Sequence, residues 1–366
     1  MGKSAIPYLE RVINGTVGCS GKGCQAHCWA RDLHNKRHKA FLEGKKMPKQ
    51  YAKPFNEVQF FPERLQEPLH RKKPTVYGMS FTGDLFDEQV DDYWIAKTFG
   101  VMAFCQNHTF IILTKQPQRM ADFFLRFHDG DYELNFNWWL NEACSALPEK
   151  ETFGIRLRPR PESLPLPNVF LGVTVCTQAE ADERIPELLK VPGKKWISIE
   201  PMLGPIELRK EWIYDLLECS CYESQCGHQM GCQFYGKTSE QRREMTSEPP
   251  NLIDAIILGG ESGPKARPMH PDWIRSIRDQ CAASGTPFYF KQWGRWRLSG
   301  GYIDGRLEPA SHGVSRLGNI VRAGELMTGE VSSKEWDGYA LVRSGSTKAA
   351  GRTLDGRTHD ELPWRK

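Results

Sequence analysis

Short and almost continuously apolar runs recur along this 366-residue chain, with helix-like stretches between them. TFIILT, NVFLGVTV and IDAIILGG are rich in β-branched residues and lack a regular alternation of apolar and polar positions. Strands that are buried on both faces have this composition, and parallel sheets bury both faces of their strands. We therefore predict eight strands, at residues 11–14, 57–60, 75–80, 109–114, 169–175, 195–200, 254–260 and 287–291.

Helical segments are predicted between these strands, at residues 29–42, 91–105, 117–127, 178–189 and 271–283. Pro117 and Pro271 suit a first helical turn, and Gly285 suits a helix end. Eight strands alternating with helices predict an α/β fold, a (β/α)8 TIM-type barrel that is full or partial. A doubly wound open sheet is the alternative, because a count of strands does not show closure.

Three segments interrupt the alternation. We expect the barrel to span residues 1–294, with insertions at residues 128–167 and 218–250, the second of them metal-binding. A Gly/Arg-rich extension, residues 295–366, is expected to form short strands and loops packed on the barrel.

The cysteine content and the N-terminal residues predict an intracellular protein. No stretch of about 18 apolar residues is present, so a membrane span is not expected. The N-terminal residues lack the apolar core of a secretory signal. The chain has 11 cysteines, clustered and odd in number. This pattern favours metal ligation in a reducing cytoplasm over a disulfide framework.

The cysteines nearest the N-terminus, Cys19, Cys24 and Cys28, lie in the glycine-rich stretch GCSGKGCQAHCWA. Three thiolates can hold three irons of a [4Fe–4S] cluster and leave the fourth iron open to a small molecule. That asymmetry predicts radical S-adenosylmethionine chemistry. The spacing C-x4-C-x3-C is one residue wider in each gap than the common C-x3-C-x2-C.

Two other interpretations of this triad remain open. Zinc accepts both sulfur and nitrogen ligands, so His27, His34 or His38 could complete a zinc site with the cysteines. Free buried thiols are the remaining alternative.

A second cysteine cluster lies in the insertion ECSCYESQCGHQMGC. Four thiols and one imidazole within this short stretch predict tetrahedral zinc or an auxiliary iron–sulfur cluster. The candidate ligands are Cys219, Cys221, Cys226, Cys232 and His228.

Polar residues follow the predicted strands, where the active sites of β/α barrels lie. We expect several of them to bind cofactor or substrate, although each could instead make a structural hydrogen bond. The candidates are Ser80, Thr82, Asp84, Thr114, Lys115, Thr174, Ser198, Glu200, Gly260, Glu261, Lys291 and Gln292. Glu200 could bind a ribose hydroxyl or an ammonium group, and Trp29 could pack near the cluster or an adenine.

Charge is unevenly distributed along the chain, whose net charge is +4. Residues 1–74 hold 15 Lys and Arg against 6 Asp and Glu, so this part alone carries +9. Basic residues near a reactive centre suit a polyanion such as nucleic acid. A solvated helix face is the alternative interpretation.

Several motifs together resemble a phage-encoded family of radical-SAM-like proteins with an N-terminal three-cysteine motif. They extend from residue 18 to residue 363 and include GCSGKGCQAHCWA, MSFTGDLFDEQV, FIILTKQPQRM, WISIEPMLGPIEL and IDAIILGGESGPKARPMHPDWIRSIRDQC. The family more often has a longer first gap, then C-x2-C and Tyr-Ala, where this chain has C-x3-C and Trp29-Ala30. The Gly260-Glu261 turn follows the seventh predicted strand, whereas the radical-SAM turn that binds the methionyl amino group normally follows the second.

The resemblance implies a barrel that binds one [4Fe–4S] cluster and S-adenosylmethionine and receives electrons from a donor. It also implies a role in hypermodifying thymine bases of phage DNA in the host cytoplasm, such as an isomerase that rearranges an amino acid attached to the thymine methyl carbon.

The resulting hypothesis is a radical-SAM enzyme whose 5′-deoxyadenosyl radical abstracts hydrogen from a nucleic-acid base. The first alternative is a non-catalytic nucleic-acid-binding protein with two zinc sites. The second is a metal-dependent hydrolase or nuclease that uses Asp84, Glu200 and Glu261. The sequence contains no HxH or HExxH motif that would support this alternative.

Overall fold

A computed structural model describes residues 4–24, 28–125, 165–213, 253–298, 302–303, 306–307, 312–322 and 339–365. The chain forms two compact units. The first consists of Met1–Val175, Asp182–Ile199 and Trp364–Lys366, and the second of Cys176–Ala181 and Glu200–Pro363. The predicted insertion at 218–250 and nearly all of the one at 128–167 lie outside the described residues. The predicted boundary at residue 294 stays a prediction.

The described strands are, in chain order, β1 (Arg11–Ile13), β2 (Thr16–Val17), β3 (Gln59–Phe60), β4 (Val76–Met79), β5 (Thr109–Thr114), β6 (Val169–Thr174), β7 (Lys194–Ile199), β8 (Ala255–Gly259), β9 (Phe288–Gln292), β10 (Trp296–Leu298), β11 (Tyr302–Ile303), β12 (Arg306–Leu307), β13 (His312–Ser315), β14 (Ile320–Arg322) and β15 (Tyr339–Ser344). The described α-helices are α1 (Trp29–Leu42), α2 (Glu67–His70), α3 (Asp92–Phe104), α4 (Pro117–Leu125), α5 (Gln178–Leu189), α6 (Lys210–Ile213), α7 (Pro271–Ser284) and α8 (Thr347–Ala350). Two 3-10 helices, Lys49–Tyr51 and Pro62–Gln66, complete the description.

The first unit is built on five parallel strands in the order β1-β4-β5-β6-β7. All six residues of β6 are buried, as expected for a strand covered on both faces. The register places Thr174, the last residue of β6, beside Ser198 of β7. Parallel pairing therefore brings the carboxyl ends of these strands to one edge.

The predicted strand at residues 57–60 is wrong as a barrel strand. Only Gln59 and Phe60 are extended, and they pair antiparallel with Thr16 and Val17 of β2. Glu57 is exposed and the next three residues are half-buried, so this run does not provide two apolar faces. The described residues hold seven parallel strands, five in the first unit and two in the second, so the predicted α/β fold is confirmed, whereas a full eight-stranded barrel is not.

The second unit contains the parallel pair β8 and β9, followed by an antiparallel sheet in the order β10-β15-β13-β14. Short strands in the C-terminal extension are therefore confirmed. Helix α7 also begins and ends as predicted, because Pro271 occupies its first turn and Gly285 ends it with a φ of 72°. Among the described helices, none is long and apolar enough to cross a membrane.

We expect Gly172→Ala to destabilise the first unit. A Cβ atom at Gly172 would overlap the indole of Trp196, whose Nε1 donates to the carbonyl of Ile112 at 2.9 Å. Overpacking of this kind costs roughly 1–3 kcal/mol of unfolding free energy. The measurement is a urea-unfolding midpoint. Gly204→Ala is the matched control, because a Cβ there meets no atom within 4 Å; equal midpoints for the two variants would contradict the prediction.

Candidate functional site

The backbone before the first cysteine is held by a close contact between two glycines. Gly18 forms a parallel bridge with Gly83, and the Gly18 N–H donates to the carbonyl of Thr82 at 3.1 Å. Gly18 has a φ of +89°, and a Cβ there would lie 2.5 Å from the carbonyl oxygen of Phe55. That same carbonyl accepts the N–H of Cys19 at 3.1 Å. Glycine at position 18 thus sets where the cysteine loop, residues 18–28, begins.

The structure brings the three predicted cluster ligands together. Cys24 forms thiol hydrogen bonds with both Cys19 and Cys28. The hydrogen bond from Cys24 is the largest influence on Cys19 and lowers its pKa, whereas the bond to Cys24 and burial raise the pKa of Cys28. The Nζ of Lys115 donates to the Sγ of Cys24 at 3.5 Å. Cys24 is thus the largest influence on the pKa of both neighbouring thiols, and its effect on them is opposite in direction.

A fully buried carboxylate, Asp87, fixes the cysteine loop near its start. Its Oδ2 accepts the N–H and the hydroxyl of Ser20, both at 2.8 Å, and the side-chain amide of Gln116 at 3.0 Å. Its Oδ1 accepts the N–H of Gln89 at 3.0 Å. Asp87 therefore joins the loop to the chain that follows β5.

A second buried carboxylate, Asp84, lies on the same turn. It accepts the hydroxyl of Thr114 at 2.7 Å, the N–H of Lys115 at 2.9 Å and the N–H of Phe86 at 3.0 Å. Burial raises the pKa of Asp84, although these hydrogen bonds oppose that effect. Three of the predicted polar residues, Asp84, Thr114 and Lys115, are thus brought together beside the cysteine loop.

Arg184 fixes the middle of the cysteine loop. Its Nη2 donates to the carbonyl of Gly23 at 2.9 Å, and its Nη1 donates to the carbonyl of Thr174 at 2.7 Å. A Cβ at Gly23 would lie 2.7 Å from the carbonyl oxygen of Lys115, so glycine is needed for this approach.

Asp87 and Arg184 were not predicted from the sequence as residues of the site. Asp87 lies in the TGDLFDEQ run that signalled Asp84, whereas nothing in the sequence signals Arg184.

The histidines considered as zinc ligands bond to backbone carbonyls. The Nε2 of His34 lies 2.9 Å from the carbonyl oxygen of Lys53, and the Nδ1 of His38 lies 2.7 Å from that of Tyr51. His27 lies outside the described residues. Within the described part of the chain, no three His, Cys, Asp or Glu side chains are arranged around one metal ion. A [4Fe–4S] cluster does not require such convergence, because each thiolate binds a different iron.

The predicted residues of the second unit form two ion pairs. The Nζ of Lys291 donates to the Oε1 of Glu200 at 2.5 Å, and both side chains are largely buried. Glu261 accepts two hydrogen bonds from the guanidinium of Arg267, at 2.8 and 2.9 Å, and a third from its N–H. Gly260 packs against the carbonyl of Trp293, where a Cβ would overlap. Their predicted roles in cofactor binding stay predictions.

The remaining described candidates belong to both units. Ser80 is buried with a φ of 58°, and its N–H donates to the carbonyl of Ile13 at 2.7 Å. Gln292 ends β9, and its carbonyl accepts the N–H of Gly260. Trp29 is 60% exposed at the start of α1. The second cysteine cluster, Cys219, Cys221, Cys226, His228 and Cys232, lies outside the described residues.

The comparisons identify a family but not an activity. Residues 3–363 match the family described as "Protein of unknown function (DUF5131)", and the chain belongs to that family. No curated protein matches the chain. A solved structure of a cysteine-to-alanine mutant of spore photoproduct lyase, with a dinucleoside spore photoproduct, is similar at a TM-score of 0.34 and 9% identity. The match covers 83% of this chain and 69% of that one.

Replacing Asp87 with alanine should loosen the cysteine loop. The change leaves the half-buried Ser20 and the buried Gln116 without their acceptor, at a cost of roughly 2–4 kcal/mol of unfolding free energy. The measurements are the urea midpoint and the rate at which iodoacetamide alkylates Cys19 in the folded protein. Glu88→Ala is the control, because Glu88 is exposed and contacts the exposed Lys22. Unchanged protection of Cys19 in Asp87→Ala would refute the role given to this carboxylate.

The stability of the protein should fall at mildly acidic pH partly because of His34. Burial lowers the pKa of His34 below its ordinary 6.5, with a smaller effect from His38. The unfolded chain therefore binds a proton first, and the free energy of unfolding decreases as the pH falls below 6.5. The slope from one such group is at most about 1.4 kcal/mol per pH unit.

Urea unfolding of wild type and His34→Gln between pH 7.5 and pH 5 measures this contribution. Gln keeps a donor for the Lys53 carbonyl but does not titrate, so its curve should be flatter. Parallel curves would show that His34 is not the group responsible.

Proposed function

We propose that this protein is a radical S-adenosylmethionine enzyme that modifies a nucleic-acid base. The observation that carries the proposal is the hydrogen-bonded group of Cys19, Cys24 and Cys28 on a loop fixed beside the carboxyl end of β5. Three thiols and no fourth cysteine in this group match the ligand set of a cluster that keeps one iron open.

The donor set fits a [4Fe–4S] cluster, and Cys19, Cys24 and Cys28 would hold it. When bound with S-adenosylmethionine, the cluster supplies a one-electron reductive cleavage that yields a hydrogen-abstracting carbon radical. The protein contributes the placement of the thiols. Asp87 and Arg184 hold the loop that carries these thiols from two sides.

The surroundings of the thiols limit access of water. Cys19 is buried against Ala30 and Phe55, and Cys28 packs against the same group. The ammonium of Lys115 is the positive charge placed at Cys24, where it stabilises negative charge on sulfur. The Oγ1 of Thr82 is buried and has no hydrogen-bond partner within the described residues, so it is available to a ligand beside the Gly18–Gly83 bridge.

The positive charge of the N-terminal residues supports nucleic acid as the substrate class. The resemblance of the motifs supports the more specific proposal of a modified thymine. The +9 of residues 1–74 suits nucleic acid. Within this class we propose an isomerase-type rearrangement on an amino-acid-modified thymine of phage DNA, in the cytoplasm of the host and with an electron donor. The ligands of the second cluster, Cys219, Cys221, Cys226, His228 and Cys232, would bind zinc or a second iron–sulfur cluster. A base inside a duplex would have to leave the stack to be modified.

Anaerobically reconstituted protein tests the proposal. We expect a [4Fe–4S]⁺ EPR signal after dithionite reduction, changed by S-adenosylmethionine, together with formation of 5′-deoxyadenosine. Alanine at Cys19, Cys24 or Cys28 should remove the signal and the cleavage, because only three ligands hold the cluster. Cys281→Ala, a buried cysteine of the second unit, should retain both. Zinc in place of iron, or cleavage that survives loss of a triad cysteine, would reject the proposal and favour a zinc-stabilised binding protein.

A further inference from the structure

The outward face of α1 begins beside the cysteine group. Trp29 directly follows Cys28 and is the first residue of the helix, and 60% of it is exposed. Ala30 and His34 are the buried residues of this helix, so the opposite face points away from the core. Within the described residues this indole makes no hydrogen bond or ring contact, and it directly follows the thiol-bearing Cys28.

Two lysines share this face with Trp29. At 3.6 residues per turn, Trp29, Lys36 and Lys39 fall within an arc of about 80°. Both lysines are exposed, and within the described residues neither forms an ion pair. Asp32 is exposed on the same arc and is the acidic residue of the helix. This exposed face therefore has the indole of Trp29 at one end and the ammonium groups of Lys36 and Lys39 along it.

The positive charge continues past the helix end. Lys46 and Lys49 are exposed, and neither forms an ion pair within the described residues, whereas Lys45 pairs with Glu43 at 2.8 Å. Residues 29–53 contain eight Lys and Arg against two Asp and Glu, a net charge of +6. We name Trp29, Lys36 and Lys39, which share one face of the helix, the α1 strip.

We propose that the α1 strip is the docking surface for a nucleic-acid strand, with a base stacked on Trp29 and phosphates on the lysines. Aromatic rings with neighbouring cations are the general means of binding single strands. Trp29 and Lys36 lie about 10 Å apart along the helix axis at 1.5 Å per residue, so one base and the phosphates of the adjoining nucleotides can be contacted together. The docking rests on the proposed function for its purpose, since a base on Trp29 lies next to Cys28.

Fluorescence anisotropy with a labelled single-stranded DNA of mixed sequence tests the docking surface, over a series of salt concentrations. Trp29→Ala should weaken binding by the order of tenfold, since stacking contributes about 1–3 kcal/mol per base. Lys36→Gln combined with Lys39→Gln should reduce the slope of log K against log salt by about 1.4, at about 0.7 per phosphate contact.

Two further variants make the test specific. Asp32→Asn should strengthen binding, because it removes the negative charge of the strip, and loss of helix structure would not produce that sign. Lys190→Gln should have no effect, because Lys190 pairs with Glu187 on α5 and is not in the strip. A duplex of the same sequence, and vesicles rich in anionic lipid, are measured in parallel.

Each outcome decides the proposal. Binding that responds to Trp29, Lys36, Lys39 and Asp32 as stated supports it, even in protein that holds no iron, in which case only the proposed chemistry fails. No binding of single strands, binding unaffected by these variants, or stronger responses with vesicles would overturn the docking surface while leaving the cluster chemistry to its own test.

Discussion

The buried carboxylate of Asp87 is the contact on which the candidate site depends. The cysteine loop is rich in glycine and has little apolar surface, so packing alone does not define its shape. Asp87 supplies that definition by accepting three hydrogen bonds at one oxygen, two from Ser20 and one from Gln116. Because the carboxylate is fully buried, water does not readily replace a donor that is lost.

The parallel strands could be predicted from the sequence because their burial on both faces leaves a continuous apolar run. This signal located β5, β6 and β8 to within about a residue at each end. It failed at residues 57–60, where Val58 and Phe60 imitate a strand but are only half-buried. Gln59 and Phe60 instead pair with Thr16 and Val17 in a small antiparallel ribbon, which depends on contacts distant in sequence. Periodicity does not carry that information.

The candidate site was partly predictable for a similar reason. Spacing and composition identified Cys19, Cys24 and Cys28, and strand ends identified Asp84, Thr114 and Lys115. Arg184 could not be found in this way, because an arginine on a helix is most often solvated and its partners lie on other elements. Glu261 carried a familiar-looking pattern, yet both of its oxygens bind Arg267. Local sequence indicates which residues have polar or ionisable side chains. Contacts between residues distant in sequence determine which of those side chains already have a hydrogen-bond partner.

The contact between Arg184 and Gly23 spans 161 residues of sequence. A ribosome adds roughly 5–20 residues per second, so the loop waits on the order of ten seconds for its last anchor. During that interval the loop lacks its contact with Arg184, although Asp87 and Gln116 have already been synthesised. The contacts of the loop are therefore completed only after half of the chain has been made.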